Sequence, residues 1–230
     1  MTRHQQSRPW SLWWGLTVLA LLLGLGTGTT AGQPSSPAWQ SMQRAAIDAV
    51  QQGRLGEAER RLRDVLASLD GSIPDDRLAR ASTLAMLGLV TKQQGRTNEA
   101  EAHYIEALAA TAAVLGARHH DLSAIHFNLG VLYADTQRYD EAAAQFRSAL
   151  EVLEGAVAAH DYKLALPLFR LGDTLRLQGA HDAAEGPLRR ALAIQERHRG
   201  PGHADVEATR QRLALLADAR VGPSRAGAPR

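Results

Sequence analysis

The chain has 230 residues, of which 45% are hydrophobic but only 5% aromatic, and this balance favours close-packed helices over a sheet. It contains no cysteine, which excludes disulfides, thiolate nucleophiles, cysteine-ligated zinc and a lipid anchor on cysteine. Its 26 basic residues nearly balance its 24 acidic ones, and Arg3 and Arg8 lie in an N-terminal segment without acids. The remainder therefore lacks the basic field that phosphate binding requires, and we expect no nucleic-acid partner.

The first 31 residues predict a secretory signal peptide. A basic stretch over residues 1–8 is followed by an apolar run over residues 10–25 and by small residues up to Ala31. We predict cleavage after Ala31 and a short linker over residues 32–38. The apolar run is shorter than the roughly 20 residues of a spanning helix. The alternative is an uncleaved N-terminal anchor, which would be the only contact with a membrane.

Both alternatives place the rest of the chain outside the cytoplasm, because the arginines of the N-terminal segment stay inside. With cleavage, the expected location is periplasmic or secreted. With the anchor retained, the protein would be anchored in the inner membrane and would face outward.

From about residue 39 to residue 220 the chain repeats itself with a period of 42 residues. Several columns keep this register: Gly53, Gly95, Gln137 and Gly179, then the Leu-Gly pairs at 87–88, 129–130 and 171–172, and the Ala-Leu pairs at 107–108, 149–150 and 191–192. Each unit carries two apolar stripes at helical spacing, and stacking of such units buries a continuous core. We predict four helical hairpins over about 39–80, 81–122, 123–164 and 165–206. A capping helix over 203–220 and a disordered tail over 221–230 follow.

Details inside the units predict how the hairpins close. Gly130 and Ala142 have almost no side chain, so the two backbones of the third hairpin are expected to approach there, with Phe146 filling the wider space beyond. In the fourth hairpin, Gly186-Pro187 is expected to kink the second helix or to delay its start.

These residues resemble the tetratricopeptide repeat. The resemblance is carried by Leu129-Gly130-Val131-Leu132-Tyr133, by Arg138-Tyr139-Asp140-Glu141-Ala142 and by the matching residues one unit earlier. The period of 42 is similar to the variety in kinesin light chains, whose units are joined by a Leu-Gly-Pro-x-His-Pro-like link that residues 115–121 and 200–205 resemble. The resemblance implies an all-α, right-handed superhelix of stacked antiparallel helix pairs with a C-terminal capping helix.

Histidine and aspartate occur together in both of these links, as His119-His120-Asp121 and as His203-x-Asp205. They are metal-ligand types, but no His-Glu-x-x-His motif is present. At the start of a helix, Asp121 and Asp205 are expected to act as caps and to interact favourably with the positive end of the helix dipole. No Gly-x-Ser-x-Gly turn or glycine-rich phosphate loop accompanies them. We therefore predict no metal site, no cofactor and no catalytic residue, and the protein is not expected to be an enzyme.

The binding surface follows from the resemblance, because in this family the first helix of each pair lines a concave face. The residues on the expected inner face are Ile47, Gln51, Ala85, Leu89, Lys92, Phe127, Val131, Asp135, Phe169, Asp173 and Arg176. Phe127 and Phe169 share one column and predict an apolar docking strip, although packing between neighbouring first helices is the alternative role for them. The expected function is that of a protein-protein interaction adaptor or scaffold, whose partner presents apolar side chains. The alternative function is a structural, self-associating module of the cell envelope.

Overall fold

The computed structural model describes residues 38–71 and 73–221, and within those ranges all the long elements are α-helices. They are α1 (Ala38–Gln51), α2 (Leu55–Ser68), α3 (Pro74–Gln93), α4 (Thr97–Leu115), α5 (Asp121–Asp135), α6 (Tyr139–Glu154), α7 (Ala165–Leu177), α8 (His181–Arg199) and α9 (Ala204–Val221). A single 3-10 turn at Tyr162–Leu164 precedes α7. The predicted all-α fold of stacked helix pairs is confirmed. The predicted signal peptide, most of the linker and nearly all of the C-terminal tail lie outside the described residues.

The described residues divide into two compact units, one that ends at residue 117 and one that begins at residue 118. In the first unit α1 pairs with α2 and α3 pairs with α4, while α2 also packs against α3. Small and branched side chains fill the space between α1, α2 and α3, among them Ala46, Ala58, Leu62, Leu87 and Val90. The hairpins are thus joined by the contact between one second helix and the following first helix, as stacking requires.

A buried carboxylate strengthens that junction. Glu59 of α2 is only 7% exposed. It accepts hydrogen bonds from Arg96 Nη1 at 2.7 and 2.8 Å and from Gln94 Nε2 at 2.9 Å, and it forms an ion pair with Arg63 at 2.6 Å. Burial alone would raise the pKa of Glu59, but the hydrogen bonds from Arg96 and Gln94 outweigh it, and the pKa is lowered. The turn between α3 and α4 is therefore tied to the preceding hairpin.

In the second unit α5 pairs with α6 and α7 pairs with α8, α6 packs against α7, and α9 packs against α8. The helix α9 thus takes the place predicted for the capping helix. The proline in α8 does not delay that helix, which begins at His181 and continues through Pro187; the expectation of a late start is wrong. None of the helices in the described part of the chain combines the length and the apolar character needed to cross a membrane.

The turn inside each hairpin is set by one column of the repeat. Gly53, Gly95 and Gly179 have φ angles of 72°, 79° and 84°, and Gln137 in the same column has 61°. Glycine adopts this left-handed region without a steric penalty, whereas glutamine does so only under the constraint of the flanking helices. Gln137 therefore forms the same left-handed turn as the glycines of its repeat column.

A second glycine column lets the two helices of a hairpin come together around a large side chain. A Cβ atom at Gly130 would lie 2.8 Å from Phe146 Cε1, and one at Gly88 would lie 2.7 Å from Tyr104 Cδ1. Both rings are fully buried. The expected close approach at Gly130 is present, but its neighbour is the Phe146 ring rather than Ala142, because the ring occupies the space that a side chain at 130 would take.

Candidate functional site

All the predicted binding residues lie on the first helices of the hairpins, that is, on α1, α3, α5 and α7. The structure distinguishes two columns among them. One column is partly exposed and contains Ile47, Leu89 and Val131, followed by Asp173. The other column is deeper and contains Ala85 and Phe127, which are buried, followed by Phe169, which is half-buried.

In the first unit, the inner-face residues sit at the edge of the core. Ile47 and Leu89 pack against the buried cluster while remaining partly exposed. Ala85 is 3% exposed. Nearby, the buried Gln43 donates from Nε2 to Thr83 Oγ1 at 3.3 Å and to Ser82 Oγ at 3.1 Å, which joins α1 to α3. Lys92 is half-buried and Gln51 is exposed. In this unit, two partly exposed aliphatic side chains thus pack against one buried cluster.

In the second unit, the two phenylalanines of the deep column differ. The Phe127 ring lies 5.6 Å, centroid to centroid, from the Phe146 ring at an angle of 54°, and Phe127 is 9% exposed. Such tilted pairs contribute beyond the area that they bury. Phe169 has Leu188, not an aromatic residue, in the corresponding place of its own hairpin, and it stays half-buried. Phe127 therefore supports the core, and Phe169 and Val131 offer the accessible apolar surface.

A charged network flanks Phe169 on the same helix. Arg176 Nε donates to Asp173 Oδ1 at 2.8 Å, and Arg212 Nε of α9 lies 2.9 Å from the same oxygen in an ion pair. Arg170 is the third guanidinium of this network. Burial lowers its pKa, while Asp135 and Asp173 oppose that shift. Among the described residues, the buried Nε atoms of Arg170 and Arg212 make no hydrogen bond of good geometry.

The sequence analysis did not predict Arg170 and Arg212 as members of the site. Both stand in one column of the 42-residue register, next to the Phe169 column, so the register could have revealed them. In the structure Arg212 reaches Asp173 of α7, and Arg210 pairs with Glu196 of α8 at 2.6 Å. These arginines fasten the capping helix to the array.

The link residues also differ from expectation. Asp121 lies in the first turn of α5, where a negative charge suits the helix dipole as expected. The backbone N–H of Asp121 is donated to His119 Nδ1 at 3.4 Å, so this helix start is capped by the histidine and not by the Asp121 carboxylate as predicted. That carboxylate faces His119 and His120 instead, at 3.5 and 3.2 Å. Asp205, in the first turn of α9, accepts a hydrogen bond from the Tyr162 hydroxyl at 2.9 Å.

Comparison with known proteins adds to this geometry. Two models of the tetratricopeptide repeat match the chain, one over residues 77–155 and one over residues 170–205. No curated protein matches it significantly.

Three solved structures are similar to the chain in fold. The crystal structure of BtubC (BKLC) from P. vanneervenii has 22% identity and a TM-score of 0.69, over 79% of this chain and 72% of that one. A putative kinesin light chain from Podosopora anserina with nearly identical TPR-like repeats has 20% identity and a TM-score of 0.66, over 80% and 87%. The apo form of RapI has 16% identity and a TM-score of 0.66, over 80% of this chain and 49% of that one.

Proposed function

This chain belongs to the tetratricopeptide repeat family, and from that premise we propose that it is an exported, non-enzymatic adaptor that binds a partner protein through the exposed faces of its first helices. Repeats of this family generally bind other proteins and are typically not catalytic. Export rests on the order of basic, apolar and small residues over positions 1–31.

One observation supports the binding face most directly. Ile47, Leu89 and Val131 recur at one position of the repeat and remain partly exposed, whereas Leu87 and Leu129, two residues earlier than the last two, are 1% and 2% exposed. We infer that aliphatic side chains which stay partly exposed at this recurring position contact apolar groups of the partner. The partner we infer therefore presents apolar side chains, as an amphipathic helix does.

The charged network beside Phe169 is expected to orient the partner segment at that contact. Arg176 and Arg212 are held by Asp173, and the buried Nε of Arg170 has no acceptor within the described part of the chain. The Arg176 side chain remains 21% exposed, so a bound molecule that offers an acceptor there gains a charge-assisted hydrogen bond. The expected partner segment carries an acceptor next to its apolar side chains.

The test is a matched pair of variants. Val131→Asp places a charge on the proposed face, and Ala144→Asp places the same charge on an exposed position of α6, the second helix of the same hairpin. Proteins recovered by affinity purification from envelope extract should be lost with Val131→Asp and retained with Ala144→Asp, with both variants folded by circular dichroism. Equal recovery with both variants would place the contact elsewhere.

Export is tested separately by sequencing the N-terminus of protein recovered from cell fractions. The proposal expects a mature chain that begins near Gly32 outside the cytoplasm. Intact Met1 on protein from the soluble cytoplasmic fraction would contradict it.

The alternative function, a self-associating envelope module, has one observation in its favour. Leu215 on α9 is 46% exposed. Light scattering over a hundredfold range of concentration distinguishes the two functions. The adaptor proposal expects a constant monomer mass. A mass that rises with concentration, and falls back in Leu215→Glu, would support the alternative.

A further inference from the structure

Three metal-ligand side chains lie together at the link that precedes α5. His119, His120 and Asp121 can each offer one ligand atom, and these atoms lie within 4.8 Å of one another. The two imidazole rings are 4.3 Å apart, centroid to centroid. The carboxylate of Asp121 is near both rings, with Oδ2 at 3.5 Å from His119 Nδ1 and Oδ1 at 3.2 Å from His120 Nε2.

The carboxylate has no capping role that would explain this arrangement. An aspartate at the start of a helix ordinarily accepts a backbone N–H of the first turn, but the first backbone N–H of α5, that of Asp121 itself, is donated to His119 Nδ1 at 3.4 Å. The side chains of Asp121 and His119 are 23% and 30% exposed, whereas that of His120 is 64% exposed. Two partly buried ligand types and one exposed ligand thus share a small volume.

The second link of the chain provides a comparison. His203 Nδ1 lies 3.5 Å from Asp205 Oδ2, the same distance as between His119 and Asp121. In both links the histidine Nδ1 accepts the aspartate N–H, at 3.4 Å in the first and 3.2 Å in the second. The His-x-Asp pair is therefore a shared feature of the links. The additional histidine is specific to the first link. In the second link Ala204 stands in the place of His120, and the Asp205 carboxylate accepts a hydrogen bond from the Tyr162 hydroxyl.

We propose that His119, His120 and Asp121 bind a divalent transition-metal ion such as Zn²⁺. Two imidazole nitrogens and one carboxylate oxygen suit Zn²⁺, Ni²⁺ or Cu²⁺, whereas Mg²⁺ and Ca²⁺ prefer oxygen ligands throughout. With ligands at about 2.1 Å from the ion, two ligand atoms are at most about 4.2 Å apart. Binding therefore requires the exposed His120 ring to rotate, and it requires His119 Nδ1 to release the Asp121 N–H that it accepts at 3.4 Å, because one lone pair cannot serve both.

The charges around the cluster are compatible with a bound cation. The start of α5 carries the positive end of the helix dipole, which opposes a cation, and the Asp121 carboxylate offsets it. Binding uses the nitrogen lone pair of each imidazole as the ligand.

The test is calorimetric titration of ZnCl₂ into the tag-free full chain after removal of metal with EDTA, in a buffer that does not coordinate zinc. His120→Ala gives the first link the His-Ala-Asp sequence of the second link, and it changes an exposed side chain. His160→Ala, which removes an exposed histidine outside the cluster, is the matched control.

We expect one ion per chain. His120→Ala should weaken its binding at least about tenfold, in the range for loss of a group that supports a metal site, while His160→Ala leaves it unchanged. Absence of binding to the unaltered chain would overturn the proposal. Equal affinity in His120→Ala, or equal weakening in both variants, would also overturn it, because the ion would then lie elsewhere or bind exposed histidines at random.

Discussion

Replacement of Gly130 by alanine tests how the third hairpin closes. The added Cβ atom would lie 2.8 and 2.9 Å from Cε1 and Cδ1 of Phe146, closer than such atoms approach in folded proteins. The ring cannot move away easily, because Phe146 is fully buried and packs against Phe127. The helices or the ring must therefore shift to admit a single methyl group.

Two effects of opposite sign determine how Gly130→Ala changes the free energy of unfolding. Alanine is favoured over glycine in a helix interior by about 1 kcal/mol. Overpacking of a filled core costs typically about 1–3 kcal/mol. Because the added Cβ atom would be too close to two atoms of the Phe146 ring, we expect overpacking to dominate. Gly130→Ala should then destabilise the protein by about 1–2 kcal/mol.

Thermal and urea unfolding, followed by circular dichroism, measure the effect. Gly56→Ala is the control, since Gly56 is helical, exposed and has only the flexible end of Arg60 within 4 Å; it should be neutral or stabilising. In a Phe146→Leu background, where the ring is absent, Gly130→Ala should lose most of its cost, so the double-mutant cycle should show strong coupling. If Gly130→Ala stabilised the protein as Gly56→Ala does, or if the two changes were additive, the proposed contact would be refuted.

Three further changes have directions that follow from the structure. Tyr104→Phe should stabilise the protein by about 1 kcal/mol in urea unfolding, because its fully buried hydroxyl has no hydrogen-bond partner in the described residues; destabilisation would mean that the hydroxyl has a partner. Phe127→Ala should cost about 3–5 kcal/mol by the same assay, and Phe169→Ala clearly less, since it is only half-buried; equal costs would contradict the distinction between them. Glu59→Gln should destabilise the protein by about 1–3 kcal/mol at pH 7. Because the pKa of Glu59 is lowered in the folded state from its ordinary 4.5, the difference from the unaltered chain should be constant above about pH 5 and shrink as the pH falls below about 4. A difference that grew on acidification would contradict the network.

The repeat register explains how much of the fold could be predicted from the sequence. Residues 42 apart occupy equivalent places, so the turns at Gly53, Gly95 and Gly179 identify the turn at Gln137, although glutamine alone would not suggest a positive φ. Local helical spacing then defines the two stripes of each hairpin. What the register does not determine is which side chain fills the space between them, because that depends on the partner position in each hairpin, as Gly130 and Phe146 illustrate.

The site was less predictable for the same reason. Phe127 and Phe169 are equivalent in register, but only Phe127 has an aromatic neighbour in its own hairpin, so their burial differs. The Glu59–Arg96 and Asp173–Arg212 pairs join different hairpins, and long polar side chains have many possible partners at such separations. Helix faces could be assigned from spacing, whereas ion pairs required the packed structure.

Site-specific photo-crosslinking in living cells tests the central claim most directly. A photoreactive residue at Val131 on α5 would report contacts of the proposed binding face, and one at Ala144 on α6 would report contacts of the second helix. The adaptor proposal predicts a covalent adduct with a distinct protein from position 131 and none from position 144. Adducts from position 144 alone, or from neither position in cells that express the partner, would contradict binding through the first helices.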